Sequence, residues 1–477
     1  METDQLATGQ WVHLALAIGG NTGVLYVDGK PRVAGQILLN PSNIAPTLNY
    51  IGKSQFSADP LFKGMVDDFR IYDYALDPGQ VASFVFKRWT GEASSSWTIG
   101  AVASPKNWQS ALSAVDYEPS SSVLFDDYAT SFNVSITDAT VTPSAVQFDN
   151  RNNNYTLSGP GAIAGSGVLT KNGAGVLTIT NANAYAGGTL LNGGTLNLNN
   201  ASAIGTGTLT IGLDTTINNT SGAAITLTTN NPQVWNGDFT FGGTNALNMG
   251  AGGVTLTGNR TVTTNGSAAL TVGPIGESGG ARSLTKAGPG TLVLTGASAY
   301  TGNTNVNAGT LNVTGSLASA TTNVYTGSLV ISGSHTNSGD VWIGLGNGGN
   351  GSLNVQSGAT LTANTLLIGA AGTPTAIATG TGTLASGGTI NTRQWLVIGQ
   401  SGAAGSSGAF TVNGGTVNVH TGGFAAGNLE VGTFDATNAT LNINAGAIVR
   451  LQNGASIVFG RKATTAASEP SIRTAAT

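Results

Sequence analysis

The residues Leu169–Leu198, LTKNGAGVLTITNANAYAGGTLLNGGTLNL, return 115 positions later as Leu284–Val313, LTKAGPGTLVLTGASAYTGNTNVNAGTLNV, and an ungapped alignment leaves 17 of the 30 positions identical. Within the unit Leu177 and Ile179, and then Leu196 and Leu198, stand two apart in short runs, the period of strands that bury one face. Between the runs lie Gly173 with Gly175, Gly187 with Gly188 and Gly193 with Gly194, where a chain turns through positive φ without a Cβ penalty. Turns recur too often for helices. Strand, corner, strand, corner describes a coil of a parallel β-solenoid, which cannot bury its apolar face alone and must stack on its neighbours.

Composition agrees. Between Asn152 and Gly460 stand six Lys or Arg (Lys171, Arg260, Arg282, Lys286, Arg393, Arg450) and six Asp or Glu (Asp214, Asp238, Glu277, Asp340, Glu430, Asp435), twelve charges in 309 residues. Equivalent residues of stacked coils lie roughly 4.8 Å apart, so a repeated charge would face its own copy, whereas Thr, Ser and Asn can hydrogen-bond along the stack. The 477 residues carry a formal charge of -4, too small to steer a nucleic acid or an anionic membrane. With 40% hydrophobic residues a core can form. There is no cysteine, hence no disulfide framework and no thiolate metal site, and no run of 18 apolar residues suggests a spanning helix.

Residues 1–86 read differently. Val12, Leu14, Leu16 and Ile18 alternate, and Val24–Val27 runs into Asp28-Gly29, a tight-hairpin signal. Asp77-Pro78 is an N-cap and N1 pair for one helical turn. QWVHLALAI, GVLYVDGK, YIGKS and FKGMVDDFRIYDYAL, in this order, resemble the second half of a laminin-G-like, concanavalin A-type jelly roll. The resemblance implies a partial β-sandwich whose first half is absent, with Met1 an internal start; METDQLATGQW has no secretory-signal pattern. It also implies calcium or glycan binding through acids and loop carbonyls, which makes Asp28, Asp67 and Asp68 the metal candidates, beside the plainer reading of turn and strand-end residues.

Residues 87–144 hold Trp89, Trp97 and Trp108 in a Ser-rich stretch, expected to cap the first coil, with glycan stacking as the alternative. The solenoid is expected over 145–460 and a disordered polar tail over 461–477. The LTK-x-G-x-G, AY-x-G and GTLN signatures of the two long copies resemble autotransporter-associated β-strand repeats of exported bacterial surface proteins. That resemblance implies an extracellular or cell-surface location and an outer-membrane element not visible in this chain. Beyond residue 340 the marks Val341-Trp342-Ile343-Gly344, Leu366–Gly369, Leu396–Gly399, Leu429–Gly432 and Ile457–Gly460 drift in spacing, as corner insertions would make them do. Coils of roughly 20 to 30 residues give about 11 to 16 of them, on the order of 50 to 75 Å.

Motifs for chemistry are weak. Gly52-Lys53-Ser54 lacks the first P-loop glycine, since Thr47 stands there. Gly346–Gly351 satisfies GxGxxG without a following helix, and Leu353 occupies the carboxylate position of a calcium nonapeptide. The adjacent acids Asp67-Asp68 and Asp126-Asp127 point to opposite faces if on strands, so neither makes an acid–base pair. Coils could bring Asp214 and Asp238 together. His13, His335 and His420 show no nucleophile or ligand spacing. Thr178/Thr180 and Thr255/Thr257 suggest an ice-binding array, weakened by Val293 in the second copy. The expectation is therefore a noncatalytic solenoid stalk displaying a recognition module, with glycans or matrix polymers as partners, end-to-end self-association, no nucleic acid and no cofactor beyond calcium. The rival is a polysaccharide lyase or hydrolase using the solenoid groove.

Overall fold

The computed structural model describes residues 6, 8–38, 43, 50–54, 56–373, 376–400, 405–433, 438–460 and 472–474. Their single α-helix is α1, Pro78–Ala82; the remaining regular elements are strands. At the N-terminus β1 (Leu14–Gly19), β2 (Thr22–Val27) and β3 (Lys30–Gln36) form an antiparallel sheet in that order. The Asp28-Gly29 turn has φ of 49° and 74°, the two positive values that a two-residue hairpin of matching twist requires. Tyr26 is buried on one face, while Leu16 and its cross-strand partner Leu25 are exposed on the other. Asp77 caps α1 through a reciprocal box: Asp77 Oδ1 accepts the Gln80 N–H at 2.7 Å and Gln80 Oε1 accepts the Asp77 N–H at 2.9 Å.

From Lys87 onward the chain winds as a parallel β-solenoid. A sixteen-stranded sheet contributes one strand per coil from Ser96–Trp97 to Ile457–Phe459, flanked by two eleven-stranded sheets and one of seven strands. Fifteen steps of ~4.8 Å make the stack roughly 72 Å long. Parallel ladders are already present before Ala145: Ser122–Asp126 pairs with Ala145–Asp149, and Asn133–Ile136 with Tyr155–Ser158. The pattern is harder to read there because Phe125, Phe148 and Tyr155 replace the small aliphatics of later coils. Inward positions are fully buried, among them Leu177, Ile179, Leu196, Leu198, Leu292 and Leu294.

The N-terminal end is closed by aromatics. Trp108–Ser110 pairs antiparallel with Lys87–Trp89 and with Ser113–Val115, so a hairpin terminates the parallel ladder. Trp89, Trp97, Trp108 and Tyr117 are buried over the first coils, with ring centroids 5.1–5.6 Å apart in edge-on and tilted contacts. Their faces are therefore unavailable to a glycan. Beside them Arg88 Nε reaches Asp126 Oδ2 at 2.9 Å in a nearly buried ion pair.

The two long repeats do not sit on the same side of the rod. In the first copy Val168–Asn172 lies in the first eleven-stranded sheet and Val176–Ile179 in the sixteen-stranded one; in the second copy Leu284–Ala287 lies in the sixteen-stranded sheet and Thr291–Leu294 in the second eleven-stranded one. The unit has advanced by one side. The seven-stranded sheet takes over where the first eleven-stranded sheet stops at Ile275–Glu277, joined through Ser298 Oγ, which accepts the Ile275 N–H at 3.0 Å. Beyond Gly460, Ile472–Thr474 forms a strand pairing with Leu441–Ile443; the rest of the expected disordered tail, 461–477, lies outside the described residues.

Candidate functional site

The three N-terminal metal candidates have ordinary structural partners. Asp28 Oδ1 accepts the His13 N–H at 2.9 Å, and the Asp28 N–H donates to the His13 carbonyl at 2.8 Å, closing the strands around the turn. Asp67 Oδ1 accepts the Asp68 N–H at 2.9 Å, and Asp68 pairs with Arg70 at 2.9 Å on the surface. His13 stacks on Phe84 with centroids 5.9 Å apart. Burial pulls its pKa down, opposed by the nearby charges of Asp28 and Asp68. Among the described residues no three His, Cys, Asp or Glu side chains converge as a metal site.

The solenoid does bring Asp214 and Asp238 to adjacent coils: the Asp214 N–H donates to the Asp238 carbonyl at 2.9 Å. Asp214 sits at φ 55°, a turn position, and Asp238 Oδ1 accepts the Thr261 N–H of the next coil at 2.8 Å. Such capping recurs up the rod. Asn259 Oδ1 accepts from Ser283 N, Ser283 Oγ from Asn303 N, Asp340 Oδ1 from Thr365 N and Asn428 Oδ1 from Ser456 N, all at 2.9–3.1 Å. A backbone N–H that leaves the ladder at a corner needs such an acceptor, and Asp238 supplies one.

The repeat signatures acquire a concrete role at their corners. Lys171 is fully buried and its Nζ donates to the carbonyls of Asn172, Gly173 and Gly193 at 2.5, 2.8 and 3.3 Å. Lys286 repeats this with Ala287, Gly288 and Ala308 at 2.8, 2.8 and 3.0 Å. Burial pushes both ammonium groups down to about 8. Gly173 and Gly288 turn the corner at φ 71° and 74°, and a Cβ there would strike the Asn150 or Thr264 carbonyl of the coil before. The tyrosine of AY-x-G is equally repeated: Tyr185 OH meets Thr189 Oγ1, and Tyr300 OH meets Thr304 Oγ1, each at 2.7 Å. LTK-x-G-x-G is thus a tight corner knotted by a lysine, and AY-x-G a wide corner filled by a phenol.

One surface feature was not assigned from sequence. In the sixteen-stranded sheet the outward column runs Asn305, Asn323, Trp342, Leu367, Val397, Glu430. Leu367, Val397 and Ala370 form an apolar cluster separate from the core, with Trp342 and Trp395 packed over it. The signal was present in VWIG and QWLVIG, where Trp342 and Trp395 occupy positions that alternate with core residues.

Two family models match segments of the chain. Residues 1–82 match the concanavalin A-like lectin/glucanases superfamily. Residues 169–198 and 284–313 match the passenger-associated-transport-repeat model. The chain carries passenger repeats. They coincide with the two lysine-knotted corners, and the N-terminal antiparallel sheet fits the concanavalin A-like segment. No curated protein matches the chain. A crystal structure of an S-layer domain-containing protein (residues 221–444) from Clostridium thermocellum is 34% identical over 17% of this chain and 42% of that one, with a TM-score of 0.16. At that score it carries no argument about fold. The passenger repeats point to an extracellular surface or passenger protein.

Proposed function

We propose that the protein is a noncatalytic bacterial cell-surface stalk: the solenoid extends the N-terminal concanavalin A-like module away from its anchorage, and that module recognises a carbohydrate or matrix polymer. The observation that carries this reading is the use of the rod's side chains for stacking. Its corner acids cap neighbouring backbone N–H groups, and its buried lysines knot corners. A spacer needs length and low charge, and a stack of roughly 72 Å with twelve charges in 309 residues fits that need. Glycan and matrix partners, adhesion and weak calcium binding at Asp28, Asp67 or Asp68 belong to the same proposal.

The test is a glycan array and a polysaccharide-depolymerisation screen on one purified sample, with calcium and with chelator. Binding without product is the expected result. Release of oligosaccharide would overturn the noncatalytic reading in favour of a polysaccharide-active enzyme and send mutagenesis to Asp214 and Asp238, the acids that adjacent coils bring together.

A further inference from the structure

Of the seven tryptophans, Trp89, Trp97, Trp108 and Trp235 are buried and Trp11 belongs to the N-terminal module. Trp342 and Trp395 differ: both are half-buried on the outside of the rod, two coils apart, or ~9.6 Å along its axis. Over the three coils directly before Trp342 the same column is filled by Thr285, Asn305 and Asn323, which bridge one another through side-chain hydrogen bonds of 3.3 and 2.9 Å. At Trp342 this polar ladder gives way to Leu367 and Val397, 5% and 4% exposed, roofed by two indoles.

The polar ladder has not vanished but moved sideways. Asn364 Nδ2 donates to Asp340 Oδ1 at 3.3 Å and to Gln394 Oε1 at 3.0 Å, so three coils are linked by oxygen and amide groups beside the indoles, with Trp395 directly following Gln394. An aromatic strip bordered by fixed amides suits a ligand with one apolar C–H face and an equatorial rim of hydroxyls. Charge narrows the class. Asp340 borders the strip on one side and Glu430 continues the column beyond Val397, while Arg393 is turned to the Asn337 carbonyl at 2.7 Å. Two carboxylates disfavour a polyanion.

We propose that the Trp342–Trp395 face binds a neutral, extended polysaccharide, with pyranose rings on the two indoles and hydroxyls directed to the Asp340–Asn364–Gln394 ladder. The site is on the stalk itself and independent of the N-terminal module. A rod that grips a glycan along its length lies against a polysaccharide layer instead of merely projecting from it.

The experiment is titration of the full chain with cellohexaose and laminarin, and with polygalacturonate as the charged arm, followed by intrinsic fluorescence in a Trp11→Phe background. The neutral glycans are expected to bind and blue-shift the emission. Trp342→Ala and Trp395→Ala should each weaken binding tenfold or more, whereas Trp342→Phe and Trp395→Phe stay within about threefold, since a ring remains. Thr285→Ala, in the polar part of the same column, should bind as the parent chain does. Absence of both binding and spectral shift with the neutral glycans overturns the proposal. So does undiminished binding by the folded Trp342→Ala/Trp395→Ala double variant, or preference for polygalacturonate. If the alanine variants do not fold, the parent's emission shift and the phenylalanine variants decide.

Discussion

Single residues inside the rod carry unusual loads because every coil repeats the demand that backbone polar groups be met. Lys286 satisfies three carbonyls that no ladder partner reaches, so Lys286→Met should destabilise the solenoid by about 2–4 kcal/mol, leaving acceptors buried and unmet. Urea unfolding followed by far-UV circular dichroism measures this, and a change under 0.5 kcal/mol would show that the corner closes without the lysine. His335 poses the opposite problem. It is fully buried against Thr322 Oγ1 at 3.1 Å, and burial pushes its pKa down to about 3 from an ordinary 6.5. The unfolded chain therefore takes up a proton that the folded chain refuses, so stability is full above pH 6.5 and declines as pH falls toward 3. His335→Leu should flatten that slope between pH 6.5 and 3 relative to the parent; parallel slopes would dissociate His335 from the acid sensitivity.

Elements depend on their neighbours in one dimension, which makes the first coil decisive. Trp97 touches Trp108, Tyr117 and Phe125, so Trp97→Ala should cost about 3–5 kcal/mol locally. Hydrogen exchange should rise most at Asn133–Ile136, the strand paired with Ser96–Trp97, and fade up the rod. Uniform loss of protection would mean that the rod unfolds as one unit. Sequence made the strand–corner alternation legible, because Leu177, Ile179 and their repeats keep period two while glycines mark the corners. It also made the Asp28-Gly29 hairpin and the Asp77 cap legible, because both are local. It did not disclose which side of the rod each repeat occupies: Lys171 and Lys286 stand in identical motifs on different sheets, since the coils between them lengthen and redistribute their strands. Nor did it assign Trp342 and Trp395, because an aromatic alternating with core residues reads as core until the inward and outward positions of the strand are distinguished.

The whole molecule is asymmetric from end to end, and that bears on self-association. At the N-terminal end an antiparallel hairpin and buried tryptophans close the ladder. At the other end Leu451, Ile457 and Phe459, each stacked on core residues of the coil below, remain 37–40% exposed. No helix of the described residues is long and apolar enough to cross a membrane. Apolar side chains exposed at this coil among the described residues invite another copy, but the closed opposite end forbids indefinite head-to-tail growth. Pairing should therefore join two like ends and stop at a dimer. Light scattering coupled to size exclusion, over a hundredfold range of concentration, should pass from the monomer mass of 47.6 kDa to twice that value and no further. Ile457→Lys with Phe459→Lys should hold the chain monomeric, since buried like charges would meet across the two-fold interface. Filaments, or a dimer indifferent to both lysines, would place the contact elsewhere, and the exposed face of β1 and β2 bearing Leu16 and Leu25 would be the next surface to change.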